Sequence, residues 1–202
     1  MKSCVKCGQP LDDQARFCPR CGTPVAGYPR PAGFWIRVVA SFIDLFVFLP
    51  LLAISVANLV FFRSTLILVV IVIPGLLYKP LMEAYYGATL GKMVLGLRVM
   101  DADGRNLTVS AAYVRAVPFL ISTGLSLVGG VIQFSSPEFQ SVKDLSQLIE
   151  ASQGNPLSCV ESLANLFVLV DCLVAGFSYR KRAIHDMMAG SFCVYARDAL
   201  AS

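Results

Sequence analysis

The sequence predicts an all-α polytopic membrane domain of about four transmembrane helices, with a small zinc-ribbon module in front and a short cytoplasmic hairpin inside it. Three observations carry this reading. Of 202 residues, 56% are hydrophobic and only 15% charged, where a soluble domain carries about a quarter. The apolar residues gather in runs close to the ~20 residues that a helix needs to cross hydrocarbon, and mean hydropathy is +0.67. Against that background, residues 4–22 read CVKCGQPLDDQARFCPRCG, two Cys-x-x-Cys pairs in a polar setting.

The chain divides into a zinc ribbon over residues 1–25, a Pro/Gly linker over 26–33 and a membrane domain over 34–198. In the ribbon, Cys4, Cys7, Cys18 and Cys21 form C-x2-C-x10-C-x2-C. Two such turns each present two thiolates to one point, which suits one tetrahedral zinc with sulfur at about 2.3 Å. Gly8 and Gly22 follow the second cysteine of each pair, where a positive φ is needed. A disulfide pair or redox dithiol is the alternative for the same cysteines. Ten residues between the pairs, with Leu11 and Phe17 as apolar anchors, are too few for a core, so the metal supplies most of the folding energy. Four thiolates close the site, which makes the zinc structural. Basic and aromatic residues are sparse here, which favours a protein contact and argues against nucleic acid. Cys159, Cys172 and Cys193 stand alone and read as small apolar fillers. The module resembles the short zinc ribbons at the N-termini of many prokaryotic membrane proteins.

Helices are expected at about 36–62, 65–86, 116–134 and 157–178. The first contains Arg37 and Asp44; the second ends among Tyr78, Tyr85 and Tyr86, as an interfacial aromatic belt would. The third carries no charge, and the fourth contains Glu161 and Asp171. Residues 87–115 read as a hairpin around a turn at Asp101–Asn106, followed by an amphipathic helix. Residues 135–156 form a polar loop with a surface helix. Orientation follows from Lys and Arg. The first thirty residues hold five and no apolar leader, segment 87–115 four and the C-terminal tail four, whereas the opposite loops hold Arg63 and Lys143. Both termini are therefore expected in the cytoplasm, where thiols stay reduced.

No catalytic constellation is legible, and the chain is not expected to be an enzyme. Gly87–Lys92 is one residue short of a phosphate loop, and Met93 stands where the magnesium-binding hydroxyl belongs. Asp101-x-Asp103-Gly104 lacks the remaining calcium ligands, and His185 is the only histidine. What remains is charge in lipid. An aspartate at the bilayer centre costs about 2.5–3.5 kcal/mol on insertion scales, so Asp44 and Asp171 should face the bundle interior. Arg37 lies seven residues before Asp44, on the same helix face, and also fits an interfacial anchor. Either aspartate serves equally as an ion or proton site or as a structural hydrogen-bond partner. Asp186, after the basic run Arg180–Arg182, reads alone as a cap or a partner of those residues.

Three stretches together are more specific: FWIRVVASFIDLFVF, GATLGKMVLGLRVMDADGRNLT and RKRAIHDMMAGSFCVY, in this order over about residues 33–196. They resemble the RDD family of membrane proteins, named for one arginine and two aspartates. The resemblance maps these onto Arg37, Asp44 and Asp186. Ser191 stands where the family commonly has Thr, and the 135–156 loop is longer than usual. The resemblance implies a role in transport, in some members as sodium/proton antiporters. The function expected is thus a prokaryotic cell-membrane protein with an ion- or proton-exchange role, the lipid bilayer around it, a homo-oligomeric state and a cytoplasmic zinc-binding head. The rival is a non-transporting scaffold or assembly factor that recruits a cytoplasmic protein through the ribbon.

Topology is testable directly. In a cysteine-depleted chain, a thiol engineered at Ser141 should react with impermeant reagent in intact cells, and thiols at Ser3, Arg105 or Ser202 only after lysis. External labelling at Arg105 would overturn the four-span order, because that segment carries four basic residues.

Overall fold

The computed structural model describes residues 2–200 apart from 14, 26, 27, 143, 145, 148, 149, 152–156 and 179. Lys143, counted above for orientation, and Ser202, proposed for labelling, lie outside the described residues. Strands β1 (Lys2–Ser3) and β2 (Pro10–Leu11) open the chain. Helix α1 (Phe34–Ala57) continues as one π-type turn over Asn58–Phe62, and α2 (Thr65–Tyr85) follows. Then come α3 (Leu90–Val94), β3 (Leu97–Asp101), α4 (Val109–Ser135) and α5 (Pro137–Ser141). The chain closes with α6 (Ser158–Phe177), α7 (Ile184–Met188), β4 (Ser191–Tyr195) and α8 (Ala196–Leu200). Among the described residues, four helices (α1 with its π turn, α2, α4 and α6) are long and apolar enough to cross a membrane.

Helix α4 begins seven residues before the expected 116, because residues 109–115 continue into the apolar run without a break. Thr108 caps it, its hydroxyl accepting from the Ala111 amide at 3.3 Å. Arg115, expected at the end of an amphipathic helix before the membrane run, is inside the long helix and buried. Pro50 and Pro118 lie within α1 and α4; intramembrane helices tolerate proline where neighbours re-satisfy the freed backbone groups.

The chain forms two compact units. One comprises Met1–Asp44, Pro80–Arg115 and Val170–Ser202; the other comprises Leu45–Lys79 and Ala116–Leu169. In the second unit Asn58 ties the turn between α1 and α2, donating to the Ser64 carbonyl and accepting from the Ser64 amide, both at 3.0 Å. Arg63 ends the π turn in the left-handed region at φ 48°. Its guanidinium donates to the carbonyls of Phe139, Gln140 and Val142 at the end of α5, a cation placed at a helix C-terminus. Ser122 and Asn165 join α4 to α6 through a 2.6 Å hydrogen bond, the polar glue expected between membrane helices.

The first unit is built around a strand pair that spans much of the sequence. The turn at Asp101–Asn106 forms, with the Asp101 carboxylate accepting from the amides of Asp103 and Arg105 at 2.8 Å. The five-residue ladder of β3, however, is made with β4, while its neighbours beyond the turn contribute one antiparallel bridge, Asn106 opposite Met100. Residues Arg30–Ala32 line the other edge of β4: the Ala32 amide donates to the Cys193 carbonyl and the Tyr195 amide to that of Arg30. Residues 30–32 of the Pro/Gly stretch are thereby fixed along a sheet edge.

β3 and β4 each follow a five-residue helix of the same build. The residues before α3 and α7, Thr89 and Ala183, have φ/ψ of −72°/164° and −75°/169°; those after, Leu95 and Ala189, have −88°/8° and −88°/2°. Gly96 and Gly190 then turn the chain at φ 64° and 62°, where a Cβ would be strained. The ladder is symmetric under exchange of the two motifs. Leu97 faces Tyr195, Asp101 faces Ser191, and the equivalent residues Val99 and Cys193 oppose each other at its centre. Unit one thus contains a local twofold repeat.

Candidate functional site: a buried charge network and a four-cysteine cluster

Six elements of the first unit carry their charged side chains inward. Asp186 on α7 is fully buried and receives two guanidinium groups. Arg37 of α1 donates from Nη1 to its Oδ2 at 2.5 Å, and Arg115 of α4 places Nη2 2.8 Å from its Oδ1. Each arginine is held from behind. Arg37 donates to the carbonyls of Ala32 and Lys181, and Arg115 donates from Nη1 to the Ser191 hydroxyl at 2.8 Å. Arg115 also reaches α2: its Nε lies 2.9 Å from Glu83 Oε2 without hydrogen-bond alignment, so that contact is chiefly Coulombic. Glu83 completes its pairing with Lys92 of α3.

His185 joins the same network. Nδ1 pairs with Asp171 of α6, the His185 amide donates to Asp171 Oδ1 at 2.8 Å, and Nε2 lies 3.2 Å from Asp186 Oδ1. Arg37, Lys92 and Arg115 therefore meet Glu83, Asp171 and Asp186, three cations against three carboxylates, with the imidazole between two of the acids. Balance is what makes such burial tolerable, since each ion removed from water costs several kcal/mol that only close pairing recovers.

Asp44 occupies a different place. It accepts from the Thr89 hydroxyl and the Gly91 amide, each at 2.7 Å, and so closes the start of α3. α1 and α3 approach so closely there that a Cβ on Gly91 would lie 2.0 Å from the Ala40 carbonyl oxygen. The structure thus brings Arg37 and Asp186 together as an ion pair, joins Asp171 to them through His185, and places Asp44 at the mouth of α3. Arg182 donates to the Asp186 backbone carbonyl at 2.8 Å. Glu83, Lys92, Arg115 and His185 were missed by sequence reasoning. A lone acid near the end of an apolar run was the available signal for Glu83, whereas Arg115 and Lys92 read as positive-inside loop residues.

The four cysteines form a second candidate site. All four Sγ atoms lie within 4.8 Å of one another, with Cys4–Cys21 at 3.6 Å and Cys7–Cys18 at 3.5 Å. A tetrahedron of thiolates at about 2.3 Å from zinc has edges of about 3.8 Å, so the cluster fits such an ion. The Gly8 and Gly22 amides donate to the carbonyls of Cys4 and Cys18 at 2.9 Å, giving two equivalent turns with φ 69° and 67° at the glycines. The Thr23 hydroxyl draws the Cys21 thiol down to about 6. Cys7 is pushed up to about 12, because burial and the neighbouring sulfurs outweigh the Gln9 amide. A metal is what would displace the remaining protons.

The ribbon lies against the strand pair. Phe17, next to Cys18, stacks on Phe192 of β4 with centroids 5.2 Å apart and meets Tyr28 edge-on at 4.8 Å. Arg16 bridges to Asp103 at 2.6 Å, and the Arg182 guanidinium lies 4.5 Å over Phe192.

A mostly helical membrane protein with charged groups gathered inside it, and a metal-binding cysteine ribbon in front, is the class these features define. The chain belongs to the RDD family, whose sequence model matches residues 31–190; a zinc-ribbon domain matches residues 1–25. Among its relatives, the uncharacterized Bacillus subtilis (strain 168) protein YxaI is 28% identical over 141 residues, 57% of this chain and 93% of that protein. The uncharacterized protein YckC of the same organism is 30% identical over 109 residues, 51% of this chain and 71% of its own length. No solved structure matches the chain.

Asp186 gives the network a pH signature. Burial alone would raise its carboxyl, but Arg115 and Arg37 outweigh burial and hold it well below the usual carboxylate range. Such a group stabilises the fold wherever the unfolded carboxyl is ionised, above about pH 4, and the contribution is lost only as pH falls through the folded value. Thermal unfolding in detergent should therefore show little change due to this group between neutral pH and about pH 4, and a loss of stability below it. Asp186→Asn, which leaves two buried guanidinium groups short of a counter-ion, should cost about 3–5 kcal/mol at neutral pH and blunt the acid decline. Equal stability of Asp186→Asn and wild type at pH 7 would contradict the assignment.

Proposed function

We propose that the chain is a small ion- or proton-exchanging transport protein of a prokaryotic cell membrane, with both termini cytoplasmic, acting as a homo-oligomer. The observation that carries this reading is the network of Arg37, Glu83, Lys92, Arg115, Asp171, His185 and Asp186, buried in one unit of a membrane domain. Ionisable groups at membrane depth are expensive, and they ordinarily mark ion or proton pathways. Asp171 and Asp44 are the proposed exchange sites, because each is a membrane-helix carboxylate held by donors that a rearrangement can release: His185 for one, Thr89 and Gly91 for the other. Asp186, clamped by two arginines, is the fixed anion around which they move. The reading assigns the chain no covalent chemistry.

A scaffold role is the second reading, and the ribbon supplies its support. Val5, at the tip of the first cysteine turn, is 92% exposed, with Lys6 exposed beside it. A photocrosslinking residue placed at Val5 in the full chain should capture one defined cytoplasmic protein if this reading holds, and no discrete adduct if it does not.

Zinc is proposed as the resident metal, one per chain and structural, held by Cys4, Cys7, Cys18 and Cys21. Metal analysis of reduced protein should return about one zinc, and Cys18→Ser should release it while the membrane helices stay inserted. Protein with neither zinc nor iron would remove this assignment.

Flux decides between the two roles. In proteoliposomes carrying a sodium or pH gradient, Asp44→Asn and Asp171→Asn should abolish exchange at matched abundance, since the amide keeps the shape and removes the ionisable oxygen. Arg37→Lys should retain partial activity, because an ammonium lacks the planar fork that Arg37 uses on Asp186 and two carbonyls. Absence of flux in the wild type, or undiminished flux in both aspartate variants, favours the scaffold.

A further inference from the structure

We infer that α3 and α7 are seated in the lipid bilayer at the boundary between headgroups and acyl chains, with their methionine-bearing faces toward lipid. The membrane-embedded part of unit one then extends beyond the four long helices. This stands apart from the transport reading and needs only that the chain resides in a bilayer.

The first observation is an inverted polarity. A five-residue helix facing water would turn charged residues outward and apolar ones inward. Both short helices do the reverse. On α3, Gly91 and Lys92 are buried while Met93 and Val94 are 40% and 71% exposed. On α7, His185 and Asp186 are buried while Met187 and Met188 are 47% and 50% exposed. The inward charges are paired within the network, so the outward apolar faces are what meets the surroundings.

The second observation is that the pattern occurs twice in one frame. Because the two motifs share cap dihedrals and a symmetric ladder, Lys92 and Asp186 are equivalent positions, as are Met93 and Met187, and Val94 and Met188. Two sequences that differ at most positions keep a buried charge followed by two exposed apolar residues. A chance apolar spot on the surface would not be expected to recur at the related position.

Continuity fixes the occupant. α3 begins five residues after α2 ends, and the residues between include Tyr86, 63% exposed, just past Tyr85 at 69%. Trp35, at the start of α1, is 76% exposed. Exposed Tyr and Trp at the ends of membrane helices mark the headgroup level, and short amphipathic helices beside them bury an apolar face into the same layer. Hydropathy windows pass over both helices because each is five residues long and carries a charge in its middle.

Fluorescence depth measurement tests this cleanly, because the chain has one tryptophan. In a Trp35→Phe background, Val94→Trp and Met187→Trp are prepared separately, with Arg105→Trp on the exposed turn as the aqueous control. Each is reconstituted into phosphatidylcholine vesicles with bromine on the acyl chain near its headgroup end. Both Val94→Trp and Met187→Trp should lose most of their emission to the brominated lipid and little to aqueous iodide, and Arg105→Trp the opposite. Iodide quenching of both sites as strong as that of Arg105→Trp would overturn the proposal. Protection of both from both quenchers would also overturn it, since protein, including a second copy of the chain, would then cover these faces. If one substitution disturbs folding, seen as lost metal or an altered elution profile, the equivalent site in the other motif gives the deciding reading.

Discussion

Asp186 is the charge that the first unit is arranged around. Its carboxylate faces Arg37 from the first long helix and Arg115 from the third, and its own amide frame sits one residue from the histidine that holds Asp171 of the fourth. Glu83 of the second long helix enters through Arg115. One short helix, α7, therefore gathers contacts from three of the four long apolar helices and reaches the fourth through Arg115, and it does so with groups that lose heavily if left unpaired away from water. Hydrophobic burial gives little direction inside lipid, because neighbouring apolar side chains are no better solvent than acyl chains. Ion pairs with fixed geometry supply the direction that burial cannot. The arginines contribute most here, since a planar fork can satisfy a carboxylate and backbone carbonyls at once, as Arg37 does.

The cysteine ribbon extends this arrangement on the side of the strand pair. Phe17 is a neighbour of Cys18 in sequence and of Phe192 in space, and Phe192 lies under the same Arg182 that donates to the Asp186 carbonyl. A module too small to hold its own core thus finds part of one on β4. This bears on its role: an element that shares aromatic packing with the membrane domain is a component of the unit, and it still presents exposed residues, Val5 among them, to another protein.

Much of this was legible in the sequence, for identifiable reasons. Long apolar runs report membrane helices because lipid demands length and composition together. Cys-x-x-Cys pairs report a metal cluster because four sulfurs must converge. The strand pair was half legible: the turn at Asp101–Asn106 showed, but its partner segment lies far along the chain, and nothing local specifies a non-local ladder. Arg37 and Asp186 were singled out through family resemblance, while their pairing needed three dimensions. Arg115 and Lys92 were misread for a physical reason. The rule that basic residues mark cytoplasmic loops takes no account of an arginine whose counter-charges come from two other elements, as those of Arg115 do from Glu83 and Asp186. Asp44 stood out as a charge in an apolar helix, which left an ion site and a hydrogen-bond partner equally open, and the structure shows it accepting from a hydroxyl and an amide.

The ladder between β3 and β4 also sets an order of events during synthesis. The ribosome delivers Arg37, Glu83, Lys92 and Arg115 long before Asp186, and β3 has no ladder until residues 191–195 have emerged. Three long helices therefore enter the membrane while their buried cations are short of two anions, Asp171 and Asp186. Until then the arginines must keep their guanidinium groups at the water boundary on extended side chains. Completion of unit one therefore waits for a strand and a carboxylate that emerge close together, late in the chain. A chain stopped before that point would be inserted but not assembled, with unpaired charge and an open strand edge, both features that invite wrong association.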